Sequence, residues 1–122
     1  MILADTTIWV DHFRSGNPEL RRQLANRNIA MHPFIVAELA FGSLVDRART
    51  LAFLNFLPAV RVARLDEVRQ MIESRSLFSQ GIGLTDAHLL ASVLINQSTE
   101  LWTNAKSLRK VAEALGVHAQ LP

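Results

Sequence analysis

Short apolar runs alternate with longer periodic stretches along the whole chain. Ile2–Ala4 is a brief apolar run before an acid and reads as a buried strand. From Thr6 the pattern turns helical, with Trp9 and Phe13 four apart on one face, until Ser15–Pro18 ends it. Pro18–Arg27 predicts a second helix, with Pro in its first turn and Leu20 and Leu24 on one face. Asn28–His32 predicts a strand. Pro33–Leu44 is almost wholly apolar and predicts a helix buried on every side, in a core or against another subunit. Asp46–Leu57 predicts a helix stopped by Pro58, and Val60–Ala63 a third strand. Asp66–Phe78 is amphipathic with acids in its first turn, where the helix dipole favours them. After the turn Ser79–Gly83, Leu84–Ile95 predicts an apolar helix capped by Thr85. Glu100–Thr103 predicts the fourth strand. Lys106–Leu115 predicts a helix closed by Gly116, and Val117–Leu121 a short edge strand.

Strands alternating with helices predict βαβ units. The expectation is a single α/β domain over residues 1–122, with a central parallel sheet of four to five short strands and helices on both faces. In such sheets ligands bind at the carboxyl ends of the strands, so the residues just after each strand are the first candidates for chemistry.

Composition narrows the chemistry. There is no cysteine, which excludes disulfides and thiolate metal sites. No apolar run approaches the roughly 18 residues of a membrane span, and no basic segment leads into a long apolar one near the start. The expected location is the cytoplasm, with no membrane partner. The net charge is +2, and every basic residue except Lys106 and Lys110 is arginine, a side chain suited to phosphate.

Three acids sit where strands give way to helices: Asp5, Glu38 and Asp86. Asp5 and Asp86 each have an ordinary reading as helix-terminus acids, and Glu38 one as an arginine's partner. Glu38 is the oddest, an acid inside the apolar run Phe34–Phe41, where burial without a partner would be costly. The chain has no nucleophile elbow and no glycine-rich phosphate loop. Clustered carboxylates repel each other and call for a cation, and oxygen-only ligation suits Mg2+ or Mn2+. Such an ion activates water for attack on a phosphodiester, while Arg and Lys side chains hold the backbone.

Four segments carry a resemblance: "ILADTTIWVD", "HPFIVAELAFG", "GIGLTDAHLLASVL" and "LWTNAKSLRKVAEALGV". In this order they resemble PIN-domain ribonucleases, most of all the VapC-type toxins of bacterial toxin–antitoxin systems. The resemblance implies a three-layer PIN-like fold and a Mg2+- or Mn2+-dependent endoribonuclease that cleaves RNA. It also implies a homodimer and a cognate VapB-type antitoxin. Asp5, Glu38 and Asp86 fall on family acidic positions and are the implied metal ligands. Thr6 matches a hydroxyl residue that assists the site, and Thr103 the threonine of the last motif. That motif ordinarily carries a fourth acid two residues after the threonine. Here Ala105 stands there, between Asn104 and Lys106. Either the protein works with three acids or an Asp has been replaced by Ala. Both predict weakened metal binding and activity.

Lys106, Arg109 and Arg14 are the leading candidates for RNA contact, and Lys106 follows the fourth strand directly. His88, two places after Asp86, could reach the site. Trp9 and Trp102 lie in runs that read as core. The alternative is a PIN-like module that holds RNA or an antitoxin without cutting. A phosphotransfer enzyme with Asp5 as nucleophile is disfavoured, because the second acid it needs is replaced by Thr7.

Overall fold

Ile2–Ala4 (β1) has no exposed face, and only the centre of a parallel sheet buries a strand on both sides. In the computed structural model, which describes residues 1–122, β1 lies between Ile29–Ala30 (β2) and Glu100–Trp102 (β3). All three run parallel, with Ile2 opposite Ile29 and Glu100, and Leu3 opposite Ala30 and Leu101. The sheet is smaller than the pattern predicts. The expected strand at Val60–Ala63 is reduced to a single parallel bridge between Met31 and Ala59, and the expected edge strand at Val117–Leu121 to a bridge between Leu101 and His118. Both flank the sheet on its outer edges, where a neighbour on one side only supports little pairing.

Seven helices complete the chain: Thr6–Ser15 (α1), Pro18–Ala25 (α2), Pro33–Ala40 (α3), Arg47–Phe56 (α4), Leu65–Ser74 (α5), Leu84–Ile95 (α6) and Lys106–Ala114 (α7). The side chains of Asp5, Asn17 and His32 accept backbone N–H groups at the starts of α1, α2 and α3, and Pro18 and Pro33 occupy first-turn positions. The cap of α6 is Gly83 rather than Thr85, which lies within the first turn. Ala105 begins α7 with no side chain to cap it. Gly116, at φ +73°, ends that helix in the left-handed conformation glycine tolerates.

The right-handed crossover rule separates the helices. From β1 the chain moves outward through α1 and α2 to β2, then through α3 and α4 to Ala59. It returns past the centre through α5 and α6 to β3. The first four helices therefore cover one face and α5, α6 and α7 the other. Residues Ala87 to Val93 of α6 are all buried, which explains why its sequence is mostly apolar. Within this chain α3 is not buried on every side, which leaves the other branch of the expectation, burial against another subunit. The helix ends at Ala40, only Ile35 and Leu39 are buried, and Phe41 just beyond it is 93% exposed.

Candidate active site

Two neighbouring strands leave the sheet toward opposite faces: β1 into α1 and β3 into α7. This is the switch point at which parallel sheets form a crevice. Asp5 and Thr103 lie on either side of it. Asp5 is 3% exposed and serves α1 as its cap. Its Oδ1 accepts the backbone N–H groups of Thr7 and Ile8 at 3.0 and 3.3 Å, and the Thr7 hydroxyl. Its Oδ2 accepts the hydroxyl of the buried Thr103. Thr7 Oγ1 in turn accepts the backbone N–H of Asn104 at 2.9 Å, and Thr103 Oγ1 that of Ala105 at 2.9 Å. The turn carrying Ala105 is thus tied to the Asp5 carboxylate through two hydroxyls.

Thr7 is a further candidate that the sequence analysis does not name as one. Thr6 was the expected helper, but Thr7 is the hydroxyl in contact with Asp5, while Thr6 lines an adjoining cleft with Glu38. The signal was present in the sequence, because a capping Asp meets the residue two places on.

Glu38 lies on α3 and Asp86 in the first turn of α6, and the rings of Phe34 and His88 pack these two helices together at 4.6 Å. All three acids are held above the usual carboxylate range. For Asp5 the cause is burial, opposed by its hydrogen bonds from Thr103 and Thr7. For Glu38 it is partial burial, then the charges of Asp86 and Asp5. For Asp86 it is burial, with the Gly83 amide pulling the other way and the charge of Asp5 adding to the rise. Glu38 is not the buried acid that its apolar surroundings predicted. It is exposed and has no ion-pair partner, because its side of α3 faces outward.

No three acidic or imidazole side chains stand close enough together to enclose a metal ion. The donors nevertheless suit a hard cation. They are all carboxylate oxygens, their charges repel, and no basic side chain neutralises Glu38 or Asp86. Oδ2 of Asp5 accepts a single hydrogen bond and keeps a lone pair. Glu38, being exposed, is free to turn toward it.

The basic candidates divide. Arg14 is exposed and lines the cleft with Thr6 and Glu38. Lys106 is exposed at the start of α7. Arg109 is half-buried, donates to the Thr103 carbonyl at 3.2 Å, and has a buried Nε without a partner, so it braces the turn. His88 is buried against Phe34, and Trp9 and Trp102 are fully buried.

Comparison with known proteins agrees with this architecture. The PIN domain family model matches residues 2–114. Ribonuclease VapC32 of Mycobacterium tuberculosis is 36% identical over 117 residues, spanning 96% of this chain and 94% of that protein, in both strain CDC 1551 / Oshkosh and strain ATCC 25618 / H37Rv.

Proposed function

The chain belongs to the PIN-domain family, and on that premise we propose that it is a divalent-metal-dependent endoribonuclease, a toxin of the VapC type. What supports the metal dependence is a set of three carboxylates at a strand-end crevice: Asp5 is buried there, the proton affinity of Glu38 is raised by partial burial and then by the charges of Asp86 and Asp5, and that of Asp86 by burial and then by the charge of Asp5. These three residues would hold Mg2+ or Mn2+. The ion supplies an acidified water and charge stabilisation for phosphodiester hydrolysis.

The chain's own residues prepare the site. Thr7 and Thr103 fix both oxygens of Asp5, so that carboxylate is oriented before substrate arrives. Arg14, which lines the cleft with Glu38, and the exposed Lys106 would hold the RNA backbone. Arg109, with one N–H committed to Thr103, steadies the turn between β3 and α7 and has guanidinium donors left for phosphate. Ala105 leaves this group one carboxylate short of the family pattern, which is expected to lower metal affinity and activity.

Two partners follow from the same reading: a VapB-type antitoxin and a second copy of this chain. Phe41 and Val45, 93% and 90% exposed beyond α3, support an apolar contact of this kind. No helix is long and apolar enough to cross a membrane. The location proposed with the toxin reading is the cytoplasm.

Ala105 also favours a second reading, a domain that binds RNA or antitoxin without cutting. RNA cleavage with Mn2+, comparing this chain with its Ala105→Asp variant, separates the two. Cleavage by the Asp variant supports the ribonuclease. Binding without cleavage by either, both being folded, supports the non-cutting module.

A further inference from the structure

The C-terminus of α3 lacks the left-handed residue that commonly closes a helix. Phe41, its C-cap, stays right-handed at φ -71° and ψ -21°, and Gly42 is not among the glycines of positive φ. The last turn is closed by two short-span bonds instead. The Phe41 N–H donates to the Glu38 carbonyl at 3.2 Å and the Gly42 N–H to the Leu39 carbonyl at 3.1 Å. Arg47, the first residue of α4, then reaches back to this end. Its Nη2 donates to the Ala40 carbonyl at 2.6 Å and its Nη1 to the Gly42 carbonyl at 3.1 Å. It makes no ion pair. A cation at a helix C-terminus is also favoured by the helix dipole. Residues 41–46 between the two helices are exposed, except for the half-buried Leu44. Little apolar packing holds this segment, so the guanidinium is a main tie between it and α3.

Glu38 lies in the turn that Arg47 closes. Asp5 has its carboxylate fixed by the hydroxyls of Thr7 and Thr103, whereas Glu38 is exposed and no ion pair holds it. Ile35 and Leu39 anchor only the inner face of α3. The place of the Glu38 carboxylate therefore depends on the backbone of the last turn. We propose that Arg47 is a positioning residue for Glu38: by closing the end of α3 it keeps that carboxylate where it can join Asp5 and Asp86 on a divalent cation. Arg47 acts through the helix end and touches neither the ion nor the substrate. The role rests on the metal-dependent reading given above, and the bonds from Arg47 to α3 do not. Its charge works against the role, because a positive group near the site repels a cation. Geometry and charge thus predict opposite signs when Arg47 is replaced.

The test compares this chain with two variants at an exposed position. Arg47→Met keeps an unbranched stem and loses both the donors and the charge. Arg47→Lys keeps the charge and can meet one carbonyl, but it cannot span two as a fork does. Amide hydrogen exchange is followed without metal, and Mn2+ binding is measured by calorimetry. In Arg47→Met the Phe41 and Gly42 amides should exchange at least about tenfold faster, while the Leu90 amide of the buried α6 should not change. Mn2+ affinity should fall about tenfold, the low end for losing a group that orients a metal ligand. Arg47→Lys should recover part of that loss. Unchanged or tighter Mn2+ binding in folded Arg47→Met would overturn the proposal, the tighter result showing that only the charge of Arg47 is felt. Faster exchange with unchanged affinity would also overturn it, because the bonds would then shape the connecting segment and leave Glu38 alone. If neither this chain nor its Ala105→Asp variant binds Mn2+, the metal-dependent reading fails and the proposal with it. Binding that ignores Arg47 defeats the proposal alone.

Discussion

The hydroxyl of Thr103 donates to the carboxylate of Asp5 across the ends of two parallel strands, and it accepts the backbone N–H of Ala105 at 2.9 Å. Position 105 is therefore two hydrogen bonds from the carboxylate of Asp5. A side chain at 105 would feel the same field.

Ala105→Asp has two opposing effects without metal. An Asp at the start of α7 would cap a helix that now lacks a side-chain cap, a gain of about 1 kcal/mol. It would also add a fourth negative charge beside acids that already repel. The melting temperature should change little without metal and rise more with Mn2+ in the Asp variant than in the parent. Thermal melts with and without Mn2+ check this, and an equal Mn2+ effect in both proteins would remove residue 105 from the metal site.

Thr7→Val keeps the shape of the side chain and loses its hydroxyl. Asp5 then lacks one donor, and the Asn104 N–H lacks its acceptor. The expected cost is about 1–3 kcal/mol in a urea titration, because the hydrogen bond goes to a charged group. Thr7→Ser should recover most of it. If Ser fares no better than Val, the methyl packing rather than the hydroxyl matters.

Glu38→Gln should do the opposite to stability. Glu38 is exposed, unpaired and repelled by Asp86 and Asp5. Removing its charge should leave the metal-free protein as stable as before or slightly more so, while Mn2+ binding by calorimetry falls steeply. A clear loss of metal-free stability would mean that Glu38 has a structural partner.

His32 gives the protein a pH dependence apart from the acids. It is fully buried and its pKa is pushed down to about 4 by burial and then by the charge of His88. Nδ1 accepts the Phe34 N–H at 3.0 Å, so the ring proton sits on Nε2, 3.1 Å from the Ser92 hydroxyl. The unfolded chain takes up this proton near the ordinary value of about 6.5 and the folded chain only near 4. The contribution of His32 to stability is therefore complete above about 6.5 and is lost as pH falls toward 4. His32→Asn keeps a capping acceptor and removes the titration. Melting temperatures from pH 7 to pH 4.5 should fall less steeply in that variant than in the parent.

Local order settled much of this molecule. Asp5, Asn17–Pro18 and His32–Pro33 mark three helix starts, because a cap needs only an acceptor beside its own amides. The apolar run of α6 showed a buried helix, and the α/β alternation showed a parallel sheet. The same pattern overstated the sheet at Val60–Ala63 and Val117–Leu121. A short apolar run looks alike whether it pairs along its length or at one bridge, and only the neighbour decides. Likewise the apolar sequence around Glu38 suggested burial, yet burial depends on whether another element covers that side of α3, and none does. The acids themselves were legible as residues that follow strands. The contact between Asp5 and Thr103 was not, nor was that between Asp5 and Thr7. Asp5 and Thr103 are 98 positions apart, and they touch only because parallel pairing sets Ala4 beside Trp102. Sequence periodicity fixes which face a side chain takes within its own element. Which elements share an end of the sheet is set by long-range pairing and the handedness of the crossovers, and these exist only once the chain has packed.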